Sequence, residues 1–175
     1  MLVCGEDLGM IPDCVPGLMK ELRILSLEIQ RMPKDPGNKF GRTEFYPYLS
    51  VCTTGTHDTS TMREWWEENA EVTKKYFHEI LQEGGIVPEY CEPWICKKII
   101  RNHLDSPSML TIIPLQDWLS INPKLRRENP MEERINIPSN PKHYWQYRMH
   151  LNLEDLVEEK KIIDEIKELI RNSGR

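Results

Sequence analysis

The stretch Leu49-Ser-Val-Cys-Thr-Thr-Gly-Thr-His-Asp58 decides how the rest of the chain is read. Leu49–Thr53 is a short, nearly continuous apolar run, the pattern of a strand buried on both faces in a parallel sheet. Gly55 then lets the chain turn sharply, and His57-Asp58 places two ionisable groups just past the strand. In parallel α/β folds the carboxyl ends of strands are where reactive groups gather.

Three further runs share this character. Leu2–Cys4 and Met109–Leu115 are nearly continuous, whereas Leu25–Ile29 alternates. Helical patterns lie between them. A short one at Val15–Leu22 follows Pro12-Asp13; a long one over Thr61–Gln82 opens on the capping-box match Thr61-Met-Arg-Glu64 and stops at Gly84-Gly85. Pro93–Leu104 carries Trp94, Ile95, Ile99 and Ile100 at helical spacing. Glu154–Arg171 follows Asn152 as a candidate cap, with an apolar stripe at Leu156, Ile163, Ile166 and Ile170.

Strands alternating with helices in this way predict an α/β fold with a parallel sheet, and four βα units amount to half of an eight-fold (β/α)8 TIM barrel. Residues 1–151 are expected to form that half, and 152–175 the C-terminal helix of the same domain. Met32–Pro47 and Ser120–Tyr144 read as long connections, the first holding three of the 13 prolines. A buried parallel strand needs neighbours on both sides, yet Leu2–Cys4 directly follows Met1. The expectation is the back half of something larger, self-associating when alone through its two open sheet edges.

Composition narrows the function. The 175 residues are 39% hydrophobic and 29% charged, too apolar for a wholly disordered chain. A net charge of −5 argues against nucleic acid as a main partner, which calls for a basic face. No run approaches the roughly 20 apolar residues of a membrane helix, and the first apolar run breaks at Glu6-Asp7, unlike a signal peptide. Five cysteines with no C-x-x-C pair read as free thiols in a reducing compartment. These features predict a soluble, cytoplasmic chain.

Two strand ends carry ionisable residues: Gly5-Glu6-Asp7-Leu8-Gly9 and Gly55-Thr56-His57-Asp58. Carboxylates over one cleft are what glycoside chemistry demands, one to protonate the leaving oxygen and others to stabilise an oxocarbenium-like transition state. Glu6-Asp7 equally fits a solvated turn, and His57-Asp58 a structural pair or half a metal site. Trp65-Trp66 and Tyr144-Trp145-x-Tyr147 offer flat faces for sugar rings, although tryptophans at helical positions more often pack in a core.

Taken together, several motifs resemble one family. G-E-D-L-G-M-I-P at 5–12, T-G-T-H-D at 54–58, P-L-Q-D at 114–117 and E-E-R-I-N-I-P at 132–138 are similar, in order and spacing, to segments of the 4-alpha-glucanotransferases (amylomaltases, glycoside hydrolase family 77). I-Q-R-M-P at 29–33 and N-P-K-H-Y-W-Q-Y-R at 140–148 resemble the plant-type cytosolic disproportionating branch. Gly5 stands where the family pattern carries alanine.

The resemblance implies that Glu6 is the general acid/base and that Asp58 stabilises the transition state and grips the donor sugar. His57 would hydrogen-bond that sugar, and Asp7 would orient its loop. It implies a retaining double displacement on malto-oligosaccharide or glucan substrates, with no metal or organic cofactor. The family's Asp nucleophile lies on a strand earlier than those present. The chain is therefore expected to be inactive alone, whether fragment, truncated gene model or half of a split enzyme, and to need the N-terminal half of the barrel as partner. A non-catalytic glucan-binding remnant is the runner-up. A hydrolase of the wider alpha-amylase clan is a third reading, opposed by the Lys142–Arg148 stretch.

Overall fold

A computed structural model describes residues 1–143, 145 and 147–175. Four parallel strands form one sheet in sequential order: β1 (Cys4–Gly5), β2 (Leu25–Ile29), β3 (Ser50–Thr53) and β4 (Leu110–Thr111). α-Helices connect β1 to β2 and β3 to β4, whereas β2 reaches β3 through a long segment whose one helical turn is the 3-10 stretch Thr43–Phe45. α1 (Val15–Leu22) follows β1; α2 (Met62–Glu68), α3 (Ala70–Lys75) and α4 (Pro93–Leu104) lie between β3 and β4; α5 (Leu115–Ser120), α6 (Leu153–Glu158) and α7 (Lys160–Asn172) follow. Sequential parallel pairing is the strand arrangement of a (β/α)8 barrel, although the β2–β3 crossover replaces the expected helix with a loop and one 3-10 turn.

β2, α1 and α4 occupy the spans predicted for them. The outer strands do not. Met109–Leu115 pairs only at Leu110–Thr111, with two further bonds, from Met109 N to the Tyr48 carbonyl at 2.8 Å and from Ile112 N to the Cys52 carbonyl at 2.9 Å. Pro114 explains the early end: it has no N–H for a ladder, and it precedes the first turn of α5. Leu2–Cys4 is displaced to Cys4–Gly5, although Val3 still accepts from Leu25 N at 2.8 Å. All four residues of β3 are buried, as expected for a central strand. Leu2 and Val3 beside β1, and Leu110 and Ile112 along β4, stay exposed because each outer strand has a neighbour on one side only.

The long helix predicted over Thr61–Gln82 is broken. Thr61 caps α2 by accepting from Glu64 N at 3.4 Å, but Glu64 turns its own side chain to Arg134 instead of closing the box. Asn69 then goes extended (φ −152°), and its side chain caps α3 by accepting from the Glu71 and Val72 amides. Thr73 Oγ1 reaches back to the Trp66 carbonyl at 2.7 Å, locking the bend, and Tyr76–Ile80 widens into a π-helical turn. The last predicted helix also splits, at Glu159. Asn152 sits at its start but spends its amide on the Asp155 carboxylate. The buried residues are Ile162 and Leu169, while Leu156, Ile163, Ile166 and Ile170 flank them.

One core fills the space around α2, α4, α5 and α7, built on Trp66, Phe77, Ile95, Ile100, Leu119 and Leu169. Arg175 ties the end of the chain back to the carbonyls of Leu104, Ser106 and Ser108. Beside β1 and β2 lies an open groove of about 1160 Å³, lined by Asp7, Met19, Ser26, Glu28, Lys34 and Tyr48 among others.

Candidate active site

Glu6 follows β1 directly and is exposed at the strand's carboxyl end. Its neighbour Asp7 turns inward and is buried. One Asp7 oxygen accepts from Leu27 N at 2.9 Å, and the other meets Lys34 Nζ at 2.7 Å. Lys34 also pairs with Glu28 at 2.8 Å, and Ser26 donates to the same Glu28 oxygen. Asp7 therefore pins the Glu6 turn to the adjacent strand, where a purely local turn had been an open alternative. Glu6 is left free to reach outward.

His57 and Asp58 lie beyond β3 in a turn knotted by threonines. Asp58 N donates to Thr56 Oγ1 at 3.3 Å, Thr56 N to Thr59 Oγ1 at 2.9 Å, and Thr59 N to the Thr56 carbonyl at 3.2 Å. The two side chains face each other, with His57 Nε2 at 3.3 Å from Asp58 Oδ2, and they are 46% and 41% exposed. Asn136 holds the pair from outside: its Nδ2 donates to Asp58 Oδ1 at 2.5 Å and its backbone N to the His57 carbonyl at 3.0 Å. The Trp145 ring lies on the His57 ring, centroids 4.6 Å apart. β1 and β3 are separated by β2 alone, so Glu6 and the His57-Asp58 turn follow strands two ladder spacings, or roughly 10 Å, apart.

The segments after β4 brace this turn. Asp117 of α5 is fully buried, accepting from Thr54 Oγ1 at 2.5 Å and from Met62 N at 3.1 Å, at the two ends of the loop. Burial pushes its carboxyl above the usual range, opposed by the Thr54 hydroxyl and the Arg31 charge. The Pro130–Glu133 turn is clamped to α2: Glu133 pairs with Arg63 at 2.5 Å, and Arg134 with Glu64 at 3.2 Å. Burial raises both carboxyls, against the pull of their arginines. Gln116 Nε2 donates to the Glu133 carbonyl at 3.2 Å. This clamp delivers Asn136, three residues on, to Asp58.

Of the aromatics, Trp66 is a core residue and donates Nε1 to the Pro88 carbonyl at 3.0 Å. Trp65 stacks edge-on with Phe40 and Tyr76. Both are taken up by packing. Trp145, 55% exposed, remains beside His57. Tyr144 lies outside the described residues. Among the described residues no three His, Cys, Asp or Glu side chains gather as a cation site, and no helix is long and apolar enough to cross a membrane.

Asn136, Asp117 and Gln116 sit in motifs visible in the sequence, but no role was readable for them there. The one available signal was a polar pair inside the apolar frame Leu115-Gln-Asp-Trp-Leu119. Such a pair on a short helix is either solvent-facing or satisfied inside.

Comparison with known proteins gives a consistent picture. The family model described as 4-alpha-glucanotransferase matches residues 1–153. The rice (Oryza sativa subsp. japonica) 4-alpha-glucanotransferase DPE2 is 44% identical over 175 residues, covering 100% of this chain and 18% of the rice protein. The Chlamydia trachomatis 4-alpha-glucanotransferase is 31% identical over 93% of this chain and 31% of its own length. Among solved structures, the amylomaltase from Streptococcus agalactiae in complex with acarbose superposes with a TM-score of 0.73 at 23% identity, covering 98% of this chain and 32% of that one. The fold is thus that of a consecutive part of an amylomaltase barrel. With its strand-end motifs, sheet order and matched span, the chain belongs to the 4-alpha-glucanotransferase family.

Proposed function

We propose that this chain supplies one half of a barrel that transfers α-1,4-glucosyl units from malto-oligosaccharides to a glucan acceptor. The observation that carries the reading is the placement of Glu6 and of the His57-Asp58 turn past the carboxyl ends of β1 and β3 in one parallel sheet. Reactive groups of (β/α)8 enzymes stand at that face. Glu6, exposed and set on a turn anchored by Asp7, protonates the leaving sugar oxygen and later deprotonates the incoming hydroxyl. Asp58, fixed by Asn136, stabilises positive charge developing at the donor sugar, and His57 hydrogen-bonds its hydroxyls.

The nucleophile belongs to the complementing half. Among the described residues Asp117 is buried in hydrogen bonds, and apart from Asp7 and Asp58 the other aspartates lie in loops or helices. Attack by that nucleophile and release by the acceptor invert the anomeric carbon twice, so configuration is retained. An acceptor sugar occupying the site excludes water, which favours transfer over hydrolysis. Five free thiols, two of them with sulfurs 3.4 Å apart, fit work in the reducing cytoplasm.

The test joins this chain to the N-terminal part of the rice relative and follows maltose plus glycogen by NMR. The expected result is free glucose with α-linked glucosyl units appearing on the glycan. Reducing ends accumulating despite excess glycan would instead indicate a hydrolase. Oligosaccharide binding with no turnover in the joined barrel would indicate a binding remnant.

A further inference from the structure

Arg31 follows β2, the strand between the two site-bearing ones, and its side chain passes beneath the His57-Asp58 turn. Nη2 donates to Thr59 Oγ1 at 3.0 Å and to the Ser60 carbonyl; Nη1 donates to Ser60 Oγ at 3.2 Å and to the Thr61 carbonyl at 3.3 Å. Four acceptors on three consecutive residues thus share one planar fork. The guanidinium also sits 5.8 Å from the Trp65 ring centroid, which fixes its plane from the α2 side. Among the described residues no carboxylate forms an ion pair with it within 4 Å; its four hydrogen bonds all go to the loop.

The approach is so close that the loop is built around it. A Cβ on Gly55 would fall 2.4 Å from Arg31 Nη2 and 2.8 Å from Thr59 Oγ1. Gly55 is therefore a steric requirement of the arginine, over and above any turn preference. Arginine supplies what lysine cannot, namely two nitrogens in fixed relation that meet backbone and hydroxyl acceptors together.

We propose that Arg31 is a positioning residue: its guanidinium, interlocked with Gly55, holds the Thr56–Thr61 turn so that His57 and Asp58 meet the sugar in one arrangement. The inference rests on the reading of His57 and Asp58 as sugar-gripping groups. Arg31 itself touches no substrate in it. Its effect belongs to the transition state, because a loosened Asp58 still binds sugar but stabilises developing charge poorly.

Two variants test it, Arg31→Lys and Gly55→Ala. The second retains the arginine and pushes it off the loop, so it decides the matter should the first fail to fold. In the 175-residue chain, amide exchange at Thr56, Asp58 and Thr59 should speed by at least about tenfold, with α4 amides unchanged. In the barrel joined to the rice N-terminal part, kcat should fall by at least about tenfold with KM for maltose within about threefold. The double variant should be no worse than the poorer single one, because both break the same interlock. Exchange rising equally in α4, or kcat within twofold of the parent, would overturn the proposal. Glu6→Gln in the same barrel separates the two readings. If it stays active the glucanotransferase reading fails, while the exchange result still decides what Arg31 does to the loop.

Discussion

Arg63 and Glu133 form a buried ion pair whose energetics follow from the structure. The side chains are 6% and 3% exposed, and the closest approach is 2.5 Å. With charge centres about 4 Å apart at an effective dielectric constant of 20, the attraction is about 4 kcal/mol. Desolvation costs several kcal/mol per ion, and the Glu133 carboxyl stays above its ordinary value despite its partner. The pair is therefore near neutral relative to apolar replacements, but each charge is expensive alone. In Arg63→Met, Glu133 can escape by taking up a proton. At pH 7 that costs up to about 3 kcal/mol, from the gap to the ordinary value of 4.5. That cost shrinks to about 1.5 kcal/mol at pH 5.5. In Glu133→Met, Arg63 has no such escape and keeps only the Arg127 and Glu128 carbonyls, so a loss of about 3–5 kcal/mol persists at both pH values. The double variant should lose much less than the sum. Urea unfolding followed by tryptophan fluorescence at sub-micromolar chain concentration measures all four proteins. Additivity within about 0.5 kcal/mol, or an Arg63→Met loss that ignores pH, would refute the reasoning.

Other predictions follow from the same geometry. His103 is buried, with Nδ1 on the Ile99 carbonyl, and burial lowers its pKa from 6.5 to about 4. The unfolded state binds the extra proton, so this stability is fully present above pH 6.5 and is lost as pH falls toward 4. It amounts to on the order of 3 kcal/mol, and His103→Gln should flatten the urea midpoint across that window. Asn136→Ala removes a hydrogen bond to a carboxylate, so kcat of the joined barrel should fall roughly 10- to 100-fold with little change in melting; an unchanged kcat would detach Asn136 from the reaction. The exposed apolar side chains along β1 and β4 should make the isolated chain self-associate, and light scattering that finds a compact monomer would contradict this.

What the sequence reveals depends on how locally each feature is specified. α4 is announced by its own proline start and apolar spacing, and β2 by its short alternating run. Pro114 and Asn69 were equally visible, yet their consequences depend on packing: Pro114 cuts β4 short, and Asn69 breaks a helix whose periodicity runs on through it. Glu6, His57 and Asp58 were legible as ionisable residues just past strands, a rule that needs no tertiary knowledge. Their supports were not. Asn136 meets Asp58 across 78 positions and Arg31 meets Ser60 across 29, and no periodicity encodes such meetings. The aromatic signal split for the same reason. Trp65-Trp66 and Trp145 look alike in sequence, but Trp65 and Trp66 pack with the core while Trp145 lies against the candidate site residue His57.

The most direct test of the central claim is Glu6→Gln in the chain joined to the rice N-terminal part, assayed for glucose release from maltose in the presence of glycogen. The account predicts robust release by the parent barrel and a loss of at least about a thousandfold in the variant, since one group serves as both acid and base. Glucose release within tenfold of the parent would contradict the assignment of Glu6 and the glucanotransferase role built on it.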